Sequence, residues 1–220
     1  MGYAASGGNG RLNDLWRFTI TSKKWAWMSG NNTINQKGVY GEKGVLDITN
    51  YPGARYASVS WMDTDGNLWL FGGSGYNESA GPGRLNDLWR FTITSKKWAW
   101  MSGNNTIDEY GVYGEKGVPD ITNYPGGRDS SVSWKDTDGN LRLFGGRGYA
   151  ASGDNGLLND LWRFGCFEES QPYWQIPSTD DDDNDQPTTP SGDFILLLIV
   201  VGIVGVVIYL VYKILKENLS

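Results

Sequence analysis

Residues 12–34 read LNDLWRFTITSKKWAWMSGNNTI, and residues 85–107 read the same, letter for letter. The motif LNDLWRF returns a third time at Leu158, so that Leu12, Leu85 and Leu158 stand 73 residues apart in succession. The same step links Trp25 to Trp98, Tyr40 to Tyr113, Pro52 to Pro125, Gly72 to Gly145 and Tyr76 to Tyr149. A fixed period without slippage marks stacked structural units, each with apolar faces that only a neighbour can cover. A single catalytic centre would not need its whole surroundings copied at a constant interval.

Each unit reads as four strands. RYASVSWM (55–62) is β-branched and aromatic, and DTDGN (63–67) carries the Asp-Gly signal of a hairpin turn. LWLF (68–71) has no polar face, so it should be covered on both sides. A glycine-rich loop (72–83) precedes the third strand, LNDLWRFTI (85–93), and the tight connection TSKK leads to the fourth, WAWM (98–101). A long connection, 102–126, runs to the next unit. The composition agrees: 31 Gly, 11 Trp and 12 Tyr suit short strands joined by turns.

At this level the residues resemble the kelch repeat. LWLFGG…LNDLWRF…KKW in the central unit and LRLFGG…LNDLWRF in the third carry the resemblance, over roughly residues 1–177. Arg55 and Arg128 stand where that family's first strand carries its arginine, Gly72-Gly73 and Gly145-Gly146 where its second strand ends, and Trp98 where its fourth strand has tryptophan. The resemblance implies an all-β fold of four-stranded β-propeller blades. Gly72 and Gly73 would let the chain turn sharply where a side chain would clash, and Trp98 and Trp100 would fill space between sheets. Two departures stand out: Arg142 replaces Trp69, and GCFEESQPYWQIPS replaces the last fourth strand, placing Trp174 three residues late as in a terminal, capping strand. MGYAASGGNG aligns with RGYAASGDNG (147–156) in mid-unit, so the first unit lacks its first two strands. The expectation is an open arc of about two and a half blades, with exposed apolar ends. Such ends should self-associate or meet additional upstream blades, since closed propellers need about four or more.

The remaining chain is of another kind. STDDDDNDQPTTPSGD (178–193) is acidic, lacks apolar residues and reads as a solvated linker. FILLLIVVGIVGVVIYLVY (194–212) has 19 residues without a charge. As a helix it would span about 28 Å, close to the bilayer's hydrocarbon thickness. A single transmembrane helix is therefore expected there, with 213–220 as a short tail. Lys213 and Lys216 follow it while Asp193 precedes it, which puts the tail in the cytosol and the repeats outside or in a lumen. The N-terminus has no signal-peptide pattern, which argues the other way. The alignment of MGYAASGGNG with mid-unit sequence reads as truncation and tips the balance outward. Gly2 and Ser6 match a myristoylation pattern, but that same alignment explains them without a lipid.

Several chemistries are excluded or weak. The net charge of −6, with no basic stripe, argues against a nucleic-acid partner. The chain has no histidine, which removes a galactose-oxidase-like copper site and any histidine-based triad. Cys166 is the single cysteine, so no intrachain disulfide forms, and a small buried thiol is expected. Asp14, Asp87 and Asp160 are carboxylates of the type a glycosidase needs, yet they recur at one place in every unit, which suits strand-edge hydrogen bonding. No enzyme activity, cofactor or metal is expected, and DTDGN reads as a hairpin rather than a calcium loop. The expected role is binding of protein or glycan, against the alternative of a structural repeat or fragment with no activity of its own. Both long loops of each unit should lie at one end of its sheet, which places a ligand near Tyr40, Tyr76, Tyr113 and Tyr149. Asn31, Asn77 and Asn104 open Asn-x-Ser/Thr sequons and are candidate glycan acceptors.

Overall fold

A computed structural model describes residues 2–3, 7–79 and 81–165, and the backbone of residues 195–201 and 207–213. Every regular element among them is a strand. The first repeat has a short pair, β1 (Gly2–Tyr3) with β2 (Asn9–Gly10), and a two-stranded sheet, β3 (Leu15–Thr19) with β4 (Lys24–Ser29). The second repeat is one antiparallel sheet of β5 (Arg55–Tyr56), β6 (Val59–Met62), β7 (Leu68–Gly75), β8 (Gly83–Thr92) and β9 (Lys97–Ser102). There β5 and β6 both pair with β7, so together they form the first of four positions. In the third repeat, β10 (Arg128–Asp129), β11 (Val132–Lys135), β12 (Leu141–Tyr149) and β13 (Asn155–Phe164) reproduce three of the four. The architecture is all-β, built of small antiparallel sheets that do not close into a propeller among the described residues.

Register repeats with the sequence. Gly2 faces Gly10, Gly75 faces Gly83 and Gly148 faces Gly156, while Trp16 faces Trp27 as Trp89 faces Trp100. The second strand does not end at Phe71, where the apolar run stops. It continues to Gly75 through a bulge at Phe71/Gly73, matched by one at Phe144/Gly146. Gly72 and Gly73 therefore lie inside a strand, with φ of 62° and 94°. A Cβ on Gly72 would stand 2.8 Å from the Arg128 carbonyl oxygen and 2.9 Å from that of Leu85, so only glycine fits. Opposite the bulge the first strand breaks as well: Ala57 has φ 55°, and Ser58 Oγ donates to the Gly72 carbonyl at 2.8 Å. Ser130 repeats that conformation (φ 58°), and its N–H donates to the Ala57 carbonyl at 2.9 Å, joining the first strands of consecutive repeats.

The apolar run of β7 is covered on both faces, as its lack of a polar face predicts. Trp69 and Phe71 join Val59, Trp61 and Leu88 against Leu141 and Leu143 of the third repeat, with Trp162 and Phe164 packed alongside. Leu68 and Leu70 lie on the opposite face with Trp89, Phe91 and Trp98, against Leu15 and Met28 of the first repeat and Tyr40 and Tyr51 of the connecting segment. The outer repeats each keep one face open: Trp16, Phe18, Trp25 and Trp27 in the first, and Val132, Trp134, Phe144 and Leu161 in the third.

The turns follow their sequences. Asp63 N–H donates to the Asn67 carbonyl at 3.1 Å, and the Asp63 side chain accepts the N–H groups of Asp65 and Asn67, making DTDGN a hairpin turn. The two long connections lie at one end of the sheet. Asn77 Nδ2 donates to the Asn105 carbonyl at 2.9 Å, and Asn105 Nδ2 donates to Glu78 Oε2 at 3.0 Å.

The C-terminal part differs from expectation. Ile195–Val201 (β14) and Val207–Lys213 (β15) form an antiparallel pair, Ile195 opposite Lys213 and Val201 opposite Val207, where one helix over 194–212 was expected. Both stretches are dominated by Val, Ile and Leu, and the β-branched residues among them favour extended backbone. Among the described residues no helix is long and apolar enough to cross a membrane. The linker 178–193, Cys166 and the expected capping strand with Trp174 lie outside the described residues.

Candidate functional site

The Asp of LNDLWRF sits one residue after Asn86 in β8, on the side facing the start of the first strand. That geometry brings Arg55 to Asp87, with NH1 to Oδ1 at 2.7 Å and NH2 to Oδ2 at 2.8 Å. Tyr40 donates its hydroxyl to Asp87 Oδ2 at 2.6 Å, and Trp89 donates its indole N–H to the same oxygen at 2.7 Å. Arg55 also donates to the carbonyls of Gly53 and Gly72, both at 3.0 Å, the second being the bulge glycine. The third repeat copies the network. Arg128 meets Asp160 at 2.7 and 2.8 Å, Tyr113 donates at 2.7 Å, Trp162 at 2.6 Å, and Gly126 and Gly145 accept from Arg128. In the first repeat Asp14 keeps only the Trp16 indole, at 2.6 Å, among the described residues.

Burial and pairing oppose each other in this network. Burial disfavours the Arg55 cation, but the Asp87 carboxylate more than offsets it and raises the guanidinium's pKa. Burial likewise pushes Asp160 up, yet the hydrogen bonds from Arg128, Trp162 and Tyr113 hold it below the usual carboxylate range. Burial, with the adjacent carboxylate adding to it, raises the phenols of Tyr40 and Tyr113. Asp87 and Asp160 are each bound by the same set of fixed partners within the fold: an arginine, a tyrosine and a tryptophan. They act as pins between the first and third strands, the strand-edge role that their recurrence suggested.

The four tyrosines expected near a ligand separate into two pairs. Tyr40 is buried, its ring between Trp89 (4.8 Å, 52°) and Trp100 (5.2 Å, 90°) and its hydroxyl on Asp87. Tyr113 packs on Trp162 in the same way (4.9 Å, 52°). Tyr40 is thereby closed off at 1% exposure and packs its connection down, whereas Tyr113 makes the matching contacts and stays half-buried. Tyr76 and Tyr149 are half-buried at the long-loop end, each beside an arginine from the preceding repeat. Arg11 lies 4.9 Å over the Tyr56 ring and 5.8 Å from that of Tyr76, and its Nε donates to the Ser74 carbonyl at 3.2 Å. Arg84 lies 5.8 Å from the Tyr149 ring, and its Nε pairs with Asp129 at 3.0 Å. The Tyr110 ring lies tilted against that of Tyr149, with centroids 5.9 Å apart at 45°, and is exposed. The sequence reading missed these Arg–Tyr seams. Their signal was the 73-residue step from Arg11 to Arg84, which ends at Leu157.

The sequons also divide. Asn77 is 1% exposed with Nδ2 donated to the Asn105 carbonyl, so the atom that would carry a glycan is closed off. Asn31 and Asn104 are half-buried. Asn31 uses its side-chain oxygen to accept from Thr33, and Asn104 uses its backbone N–H on Asn86 Oδ1. Both keep Nδ2 without a hydrogen bond among the described residues.

Among the described residues no group of three or more His, Cys, Asp or Glu side chains is placed to hold a metal. No protein-family model matches the chain, and no curated protein sequence matches it.

Proposed function

We propose that the repeats are blades of a kelch-type β-propeller acting as a binding module for protein or glycan ligands, held at a membrane by residues 194–212. The observation that carries the reading is the asymmetry of the two ends. One end has only short turns; the other gathers both long connections and, at each junction between repeats, an arginine beside half-buried tyrosine. Rigid scaffold with long loops at one end is where binding surfaces are usually built, and tyrosine with arginine suits planar, polar ligands. The Asp87 and Asp160 carboxylates are already held by arginine, which supports binding rather than hydrolysis.

The membrane reading rests on 19 uncharged residues followed by Lys213 and Lys216. A two-stranded hairpin leaves the N–H and C=O groups of both outer edges unpaired, which hydrocarbon does not tolerate. In a bilayer the same segment would take the helical form that satisfies its backbone internally. The repeats would then lie on the non-cytosolic side. Protease added to intact cells should digest the repeats and spare the tail; the reverse pattern overturns that orientation.

The binding test uses the full chain in detergent on glycan and protein arrays. Arg11→Ala combined with Arg84→Ala should reduce capture at least tenfold, while Thr64→Ala combined with Thr137→Ala in the short turns should leave it unchanged. Loss in the turn variant alone would place binding at the opposite end. The alternative, a purely structural repeat, is favoured by the burial of Tyr40, and it predicts no specific capture by the wild-type chain.

A further inference from the structure

The open face of the first repeat has a sequence-identical counterpart whose cover is visible. Trp25 is 66% exposed, whereas Trp98, at the same place in the copied segment, is 6% exposed. Leu15 and Met28 of the preceding repeat cover Trp98 and its neighbours, and the Trp98 indole donates to Ser29 Oγ at 3.0 Å. The Trp25 indole has no hydrogen-bond partner among the described residues. At the other end, Leu161 is 58% exposed, whereas Leu88 is 5% exposed under the third repeat. The Trp61 indole there donates to the Arg142 carbonyl at 3.2 Å, while that of Trp134 has no hydrogen-bond partner among the described residues.

The two open faces are therefore the two halves of one contact, which the chain makes twice internally: first repeat on second, and second on third. We propose that they meet between molecules. The Trp16, Phe18, Trp25 and Trp27 face of one copy packs on the Val132, Trp134, Phe144 and Leu161 face of a second copy, head to tail. Arg142, the one polar replacement in the latter face, already has its charge paired with Asp136 at 2.7 Å. A second copy is the occupant because each face has its complement on the same chain. Such a contact is heterologous, so it builds a ring if the rotation closes and a filament if it does not.

Two surface variants of the full chain test this in detergent by sedimentation velocity. Trp25→Glu disables one face and Leu161→Glu the other; both positions are exposed, and circular dichroism with thermal melting checks that each variant folds as wild type. Wild type should assemble with rising concentration, each variant alone should remain a single chain, and an equimolar mixture should form a one-to-one pair and nothing larger. A wild type that stays monomeric overturns the proposal. So does assembly that persists in either variant alone, whether through the Trp face pairing with itself or through residues 194–212, and so does a mixture that fails to pair.

Discussion

Arg55 grips Asp87 with two N–H groups, at 2.7 and 2.8 Å, at a site where the carboxylate is sealed from solvent. The fork geometry fixes the first strand of the repeat against the third, and the Gly72 carbonyl takes a further Arg55 N–H across the bulge. Asp87→Asn removes the charge that compensates a buried guanidinium and should cost roughly 3–5 kcal/mol. Asp14→Asn changes the same letter of the same motif where, among the described residues, no arginine reaches it, and should stay within about 0.5 kcal/mol. Urea unfolding of the two variants gives the comparison, and similar losses would contradict the assignment.

The same networks give stability two pH limits. Asp160 is lowered in the fold, so its contribution is complete above its unfolded value, about 3.9, and is lost as pH falls through the folded value. Tyr40 and Tyr113 are raised, so theirs is complete below about 10 and lost as pH rises beyond it. Unfolding free energy should be flat between roughly pH 5 and 9 and fall on both sides. Asp160→Asn should make the acid side shallower and Tyr113→Phe the alkaline side. Unaltered slopes in both variants would show that these groups do not set the limits.

Gly72 and Gly44 both have positive φ, 62° and 84°, but only Gly72 is hemmed in by backbone. Gly44→Ala meets open space and should cost about 1 kcal/mol of left-handed strain. Gly72→Ala meets carbonyl oxygens at 2.8 and 2.9 Å and should cost at least about 2 kcal/mol. Thermal melts of the pair test whether the bulge, rather than backbone conformation alone, selects glycine.

The four-strand order, the hairpin at DTDGN and the two-sided burial of Leu68–Phe71 were all legible, because period, turn chemistry and polarity pointed the same way. The continuation of the strand to Gly75 was not: Gly-Gly reads as a loop signal, and only the neighbouring carbonyls show that it is a bulge. Tyr40 and Tyr76 carry the same letter in neighbouring long connections, yet one is buried on Asp87 and the other lies beside Arg11. Sequence cannot separate them without the pairing of Arg55 with Asp87. Over 194–212 the reading rested on apolar length alone and left out the preference of Val and Ile for extended backbone, which the paired strands express.

Trp16 is 49% exposed and Trp89 is fully buried, although the 23 residues around each are identical. If neighbours alone decide the fate of a copied segment, its two copies must differ in solution. Hydrogen–deuterium exchange measures this directly, since a peptide cut from within LNDLWRFTITSKKWAWMSGNNTI has one mass and one set of intrinsic rates for both copies. At a dilution where the chain is monomeric, the isotope envelope of that peptide should split into two equal populations, the slow one from β8 and β9 and the fast one from β3 and β4. A single envelope at every labelling time would contradict the account.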